Sequence, residues 1–475
     1  MNRIVGVETE YGCLVNQEER AGGPDAFPIR VKNHIFRTEE LGVIDLHYRD
    51  FEEPPGNGGF LLNGGRVYLD MGHLEYSSPE CRSIYDIVLY DRAGDTMLQN
   101  ALLRMNLEHR VSFLKNNIDH HTGATFGCHE NYLMRRDASF TPSIVAALLS
   151  FLVTRQIYTG AGRVGVAHPF SMEEVHPKKS IHFQISQRAD HIVNDIYQWV
   201  QFNRAIINAR DEPLADGREY RRLHLLLGDS NMAEYANVLK FGTTALVLDL
   251  LESGIHPKKV AIADAVSTMR EISHDPSRKW LVRLESGGHQ SALDIQRAFC
   301  ELAVTTFRGR DAETDQILQK WMDTLEALSK QDYEALVGKI DWITKEWLLG
   351  LFMQADDLTW NDPWLKSLDL EYHDLDSSRG LYFGVEQSNY GWRWTKPEDI
   401  ASAIRTPPAD TRATGRGLAI SKLQKRISSY IINWDSITLE NGKPISMMDP
   451  LRTYQQEIQA AFAKVRESDK PAGPS

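Results

Sequence analysis

The chain has 475 residues, 42% hydrophobic and 25% charged, a balance that suits a folded protein with a large core and more than one domain. Its net charge of −12 argues against general nucleic-acid binding, because a phosphate backbone repels an acidic surface. No apolar run has the length of a membrane span. Four scattered cysteines, Cys13, Cys81, Cys128 and Cys300, form no CxxC pair, which speaks against a zinc ribbon or a disulfide framework.

The first residues run straight into a strand-like pattern rather than a signal peptide, so a cytoplasmic location is expected. Over 3–11, Ile4, Gly6, Glu8 and Glu10 share one face and Val5, Val7, Thr9 and Tyr11 the other. Two acids at i and i+2 of a half-buried strand repel each other unless a cation lies between them; exposed edge acids are the plainer alternative. Residues 18–59 are rich in turn signals, Gly22-Gly23-Pro24 and Glu53-Pro54-Pro55-Gly56 among them. They are expected to form a long loop, either a functional lid or a disordered insertion.

Gly65–Glu80 concentrates the chemistry. Arg66, Tyr68 and Asp70 alternate with Val67 and Leu69, so a cation, a phenol and a carboxylate line one strand face. Gly72 allows a bend after which His73 and Glu75 re-enter the same space. Pro79 suits the first turn of a following helix, with Ser77 or Ser78 as its N-cap. An amphipathic helix is predicted over 81–107, then strands over 111–116 and 125–134. In the second of these strands His129 and Asn131 face away from Cys128, Glu130 and Tyr132.

Helical periodicity returns over 143–156. The following Gly160–Gly165 spells GxGxxG, but a dinucleotide site needs a strand before it and a helix opening at it, and here a helix-like run precedes it. A second polar concentration spans 202–231, where Arg222 and His224 share one strand face and Arg221 the other. A helix is expected over 232–253, capped by Gly254. Residues 290–355 read as mainly helical, with Trp321, Trp342 and Trp347 as core anchors. The Pro407-Pro408 turn marks a boundary to a smaller module with a strand over 430–439 containing Trp434, and the tail 468–475 has a disordered composition. The division expected is 1–405, 406–467 and the tail.

Several strands thus present acid, His, Tyr or Arg on one face. Together they describe an α+β fold, a curved antiparallel sheet packed by helices, whose cradle binds hard cations through oxygen ligands with phosphates bridging them. Clustered carboxylates need such cations to remain ionised. Without a Walker motif, ATP would be held by the metals and arginines.

The segments Ile4–Gly12, Asn63–Asp70, Glu75–Glu80, Gly127–Leu133, Arg210–Pro213, Tyr220–His224 and Gly228–Asn231 resemble the Pup ligase/Pup deamidase family, of the glutamine synthetase-like carboxylate-amine ligases. The resemblance implies a sheet domain with a small C-terminal domain, bound ATP and Mg2+, and a Pup or Pup-like protein tag and tagged proteins as partners, with no nucleic acid and no membrane. It implies Glu8, Tyr68 and Glu75 as magnesium ligands, to which the strand pattern adds Glu10 and His129. It implies Arg66, Ser78 and Trp434 as nucleotide contacts, to which His224 is added, and Asp70 as the catalytic aspartate. Arg210, Arg221, Arg412 and Arg416 are candidates for the tag groove.

The five-residue step from Asp70 to Glu75, the 18–59 insertion, Leu358–Pro363 and Trp434-Asp-Ser436 resemble the deamidase. Gly127-Cys-His and Asp70-Met-Gly resemble the ligase, and Leu74 replaces a proline usual in both. The expectation is an amidohydrolase that removes the tag's C-terminal amide or cleaves its isopeptide bond, with Asp70 as nucleophile or base. The alternative is an ATP-dependent ligase joining the tag to lysines, and a non-catalytic tag-binding protein is the third.

Overall fold

The computed structural model describes residues 3–16, 26–49, 53–120, 123–166, 181–199, 204–424, 429–440 and 442–468. A ten-stranded sheet organises the chain. Its strands are β1 (Val5–Val15), β2 (Gly42–Ile44), β3 (Gly58–Leu61), β4 (Arg66–Asp70), β5 (His73–Ser77), β6 (Val111–Leu114) and β7 (Cys128–Arg135). The two-residue strands β8 (Arg163–Val164) and β9 (Phe183–Gln184) pair only with each other, and β10 (Asn194–Tyr197), β11 (Ala205–Asn208) and β12 (Tyr220–Leu225) complete the large sheet. The order is β10-β11-β12-β7-β1-β5-β4-β3-β2, with β6 on the far half of β1. Only β10 and β11 run parallel. This is the expected α+β architecture, a mostly antiparallel sheet packed by helices.

Alternation in the sequence decides which face is buried. Val5, Val7, Thr9 and Tyr11, with Val67, Leu74, Tyr76, Cys128 and Tyr132, face the core. Helices α1 (Ala26–Arg37), α2 (Ile84–Arg104), α3 (Pro142–Thr154), α4 (Gln156–Thr159) and α5 (Glu234–Glu252) contribute to that core. Several polar groups on the buried side are paired with one another. Glu130 takes both Arg155 and the Tyr132 hydroxyl, and Lys115 Nζ bridges Asp91 (2.6 Å) and Asp95 (2.9 Å).

Four local expectations change. The 18–59 stretch is not one long loop: α1, β2 and the start of β3 lie within it, α1 covering the core and β2–β3 extending the sheet edge. Its residues 17–25 and 50–52 lie outside the described residues. The helix after Pro79 begins five residues later, because Ser83 supplies the cap to the Asp86 amide (2.9 Å). Ser78 Oγ instead accepts from the Val7 amide (3.0 Å) and donates to the Pro79 carbonyl, tying β5 to β1. The strand over 430–439 is two strands, Tyr430–Ile432 and Ser436–Leu439, with Trp434 in the turn between them. Trp321 and Trp342 are fully buried as expected, whereas Trp347 sits at the edge of the core. Gly160–Gly165 follows α3 and α4 and leads into β8, so no helix opens on it. The tail from 469 onward lies outside the described residues. No described helix is long and apolar enough to cross a membrane.

A second apolar cluster joins Ala419, Ile420, Leu423, Ile432, Ile437, Met447, Ile458 and Phe462 to Val43 and Phe60 of the sheet edge. Its polar fastening is Glu80. That buried carboxylate accepts from Arg412 Nε (2.7 Å) and from Arg416, whose guanidinium also reaches the Gly64 carbonyl (2.8 Å). Burial alone would raise the Glu80 pKa, but the two guanidiniums outweigh it and hold the group at about 2. Glu80→Gln leaves two buried cations uncompensated and is expected to cost about 3–5 kcal/mol in chemical denaturation at pH 7. Because the folded pKa lies below the unfolded one, this stabilisation is present above about pH 4.3 and is lost as pH falls toward 2. The gap between the wild type and E80Q should therefore narrow across that window.

Candidate active site

The face opposite the core gathers most of the singled-out residues through strand register. Arg66, Ser77, Glu8 and His129 stand abreast on β4, β5, β1 and β7. Two residues along, Tyr68, Glu75 and Glu10 stand abreast on β4, β5 and β1. Asp70 closes the row at the end of β4, opposite His73. Between β7 and β12, Asn131 pairs with His224.

Two clusters result, in each of which the ligand atoms lie within 4.8 Å of one another: Glu8, His129 and His224, and Glu10, Asp70 and Glu75. Glu8 Oε1 accepts from Asn131 Nδ2 (3.1 Å), and its Oε2 lies 3.4 Å from His129 Nδ1 and 3.7 Å from His224 Nε2. Burial disfavours its charge, yet the His129 hydrogen bond and the Arg222 guanidinium hold Glu8 well below the usual carboxylate range. Glu10 is also lowered against burial, by His73, His129, the Gly127 amide and Arg188. Glu75 goes the other way. Burial and then its neighbours Glu10, Glu8 and Asp70 push it well above its ordinary value, and the Tyr68 hydroxyl donates to it. Like charges this close cannot all ionise. The donor set therefore fits divalent cations, which would allow every carboxylate to ionise.

Beside the clusters opens a cleft lined by Gly6, Glu8, Ser78, Glu80, Asn131, Pro213, Leu214, Arg222, Arg412 and Trp434. Its lining combines an indole and apolar walls with arginines and carboxylates. Arg416 lies against the Trp434 ring (4.7 Å) and donates to its carbonyl (2.8 Å), and Phe60 meets the indole edge-on (5.1 Å).

Some placements depart from expectation. His224 belongs with Glu8 and His129 rather than with a nucleotide phosphate, since burial lowers its pKa to about 3 and leaves the ring neutral. Arg66 is buried and held by Asp45 (2.9 Å) and Glu53 (2.5 Å) while stacking on Tyr68 (4.5 Å). Arg416 is fully buried on Glu80, which leaves it no surface for a tag. Arg412 is also buried on Glu80, at the edge of the cleft. Arg221 points away from the cradle, bonding the Arg136 carbonyl (2.7 Å) and covering Phe140. Arg210 is exposed, 3.9 Å from Glu212.

Sequence reasoning placed Asn131 and Arg222 on their strand faces but did not connect either with Glu8. Arg222 Nη1 donates to Asn131 Oδ1 (3.4 Å), which orients the amide toward Glu8. It also missed Glu80, whose partners lie more than 300 residues away.

The family profile described as Pup-ligase protein matches residues 3–438. The chain belongs to the Pup-ligase family. It is 35% identical to the Pup–protein ligases of Nocardia farcinica and Mycobacterium avium, in each case over 98% of this chain and 99% of that protein. Among solved structures it resembles the complex between prokaryotic ubiquitin-like protein Pup and its ligase PafA, with TM-score 0.82, 30% identity and coverage of 100% of this chain and 96% of that one. It also resembles the Pup ligase PafA in complex with ADP, with TM-score 0.77, 30% identity and coverage of 93% and 94%.

These findings overturn the amidohydrolase, deamidase and depupylase expectation, because full-length likeness runs to chains named ligase. Two of the features that favoured a hydrolase have structural explanations. The five-residue step from Asp70 to Glu75 follows from a two-residue hairpin turn that pairs Asp70 with His73 and Tyr68 with Glu75, and much of the supposed insertion is helix and sheet edge.

In metal-free protein the His224 ring should stay neutral from pH 7 to 5, as imidazole nitrogen NMR shifts would report; protonation near the ordinary pKa of about 6.5 would contradict the burial and hydrogen bonding described.

Proposed function

We propose that the chain is an ATP-dependent ligase that joins the C-terminal glutamate of a Pup-type protein tag to lysine amines of other proteins. The observation that carries this reading is the placement of Asp70 beside Glu10 and Glu75 on the cradle face of the sheet, within a chain related along its whole length to proteins named Pup–protein ligase. ATP is a co-substrate. Transfer of its terminal phosphoryl group to the glutamate carboxylate gives an acyl phosphate and ADP. The lysine amine then attacks the acyl carbon, a C–N bond forms, the C–O bond to phosphate breaks, and phosphate leaves.

Amine attack requires loss of a proton. Asp70 is the group assigned to take it, because it sits at the turn end of the acidic row, on an exposed hairpin, where an incoming amine can reach it. Glu8, Glu10, Glu75 and the Tyr68 hydroxyl are the groups assigned to hold Mg2+, which would screen phosphate charge. Asn131 and Arg222 orient Glu8. Trp434 and Ser78 are assigned to the nucleoside end of the cleft, and Arg66 to the phosphate end, where Asp45 and Glu53 fix its guanidinium. On the same reading, residues after 405 form a small domain that brings Trp434 to the nucleotide. Of the basic candidates for an acidic tag, Arg210 keeps an exposed guanidinium.

Purified chain incubated with a glutamate-ended tag, ATP and a lysine-bearing protein should build conjugate with one ADP released per bond. Loss of preformed conjugate without ADP release would defeat the proposal. Asp70→Asn keeps the side-chain volume but removes the base. It is expected to lower conjugate formation by about 10²–10⁴-fold while nucleotide binding, followed by Trp434 fluorescence, persists.

A further inference from the structure

The turn that links Asp70 to His73 contains only Met71 and Gly72, both at positive φ (+46° and +90°), the pattern of a type I′ hairpin. Asn or Asp is the usual first residue of such a turn, and a methionine there adopts a backbone conformation that its side chain does not favour. It is also 67% exposed. A polar residue would be easier to place on both counts, so neither packing nor turn chemistry accounts for methionine.

The neighbourhood suggests what does. Asp70, one residue away, belongs to the cluster with Glu10 and Glu75. His73, paired with Asp70 across the turn, has a partly exposed side chain, sets its ring edge-on to Phe126 (4.8 Å) and points Nδ1 toward Glu10 Oε2 (3.6 Å). The hairpin end is therefore apolar at Met71 and at the His73–Phe126 pair, and strongly acidic just inside. A lysine side chain has the complementary order, a four-carbon apolar stem followed by an ammonium. Methionine is also the residue whose flexible, polarizable side chain adapts to the shape of an apolar partner.

We propose that Met71, with the edge of His73, forms the apolar contact for the stem of the acceptor lysine and so sets the preference for an alkylamine delivered to Asp70. This inference rests on the ligase reading above.

The test compares Nα-acetyllysine with hydroxylamine, a nucleophile without a stem, using the full chain, ATP and the glutamate-ended tag. Met71→Asn provides the Asn-Gly pair that type I′ turns favour, so the hairpin is retained. The ratio of kcat/KM for Nα-acetyllysine to that for hydroxylamine is expected to fall about tenfold in M71N, the range for losing an apolar contact in a recognition site. Met71→Leu should restore most of the ratio. A ratio within twofold of wild type in M71N overturns the inference, as does an equal loss with both nucleophiles, which would mark a distorted turn rather than a lost contact. A wild-type chain that forms neither conjugate nor hydroxamate overturns the ligase reading itself, and this inference with it.

Discussion

Mutual repulsion among buried carboxylates is the constraint around which this protein is built. Glu8, Glu10 and Glu75 lie on adjacent strands β1 and β5, with Asp70 at the end of the neighbouring β4. Burial disfavours the charge of the three glutamates. The protein offsets that cost unevenly. Histidines and amide donors hold Glu8 and Glu10 ionised, whereas Glu75 has only the Tyr68 hydroxyl and is driven toward its protonated form. Such a face is incomplete without added positive charge, and the sheet beneath it has to be rigid enough to keep the acids together in its absence. That rigidity comes from the other face, where every second residue of the same strands is buried in the core.

A second constraint holds the cleft. Glu80 follows directly after the Ser77-Ser78-Pro79 edge of the cleft, and its two arginines come from the start of the helix Ala413–Leu423. Arg416 passes the contact on to Trp434 through both its ring and its carbonyl. One buried carboxylate thus couples the sheet to the aromatic wall, and the shared cluster around Phe60 and Ile437 supplies the apolar half of the same joint. The ion triad is short in space and very long in sequence.

The acceptor proposal and the corrected activity turn on the same two-residue turn. Spacing along a hairpin is a poor guide to chemistry, because a residue added or lost at the tip need not change which side chains face each other along the strands. Asp70 pairs with His73 and Tyr68 with Glu75, so the five-residue step that resembled a hydrolase reports the two-residue turn between them. Likeness distributed over the whole chain averages over such local changes, and here it runs to ligases.

By itself the sequence determined which residues face together. Alternation along β1, β4 and β7 separated Glu8, Glu10, Tyr68, Asp70 and His129 from the core residues between them, because side-chain period is a local property of an extended strand. It also marked α2, α5 and the helical stretch over 290–355, where apolar spacing is equally local. Tertiary structure decided what each face met. It buried Arg416 on Glu80, turned His224 into a neutral neighbour of Glu8, made helix and sheet edge from residues read as a loop, and moved the cap of α2 to Ser83. Each of those outcomes depends on partners distant in the chain or on competition among nearby caps, and local periodicity carries no information about either.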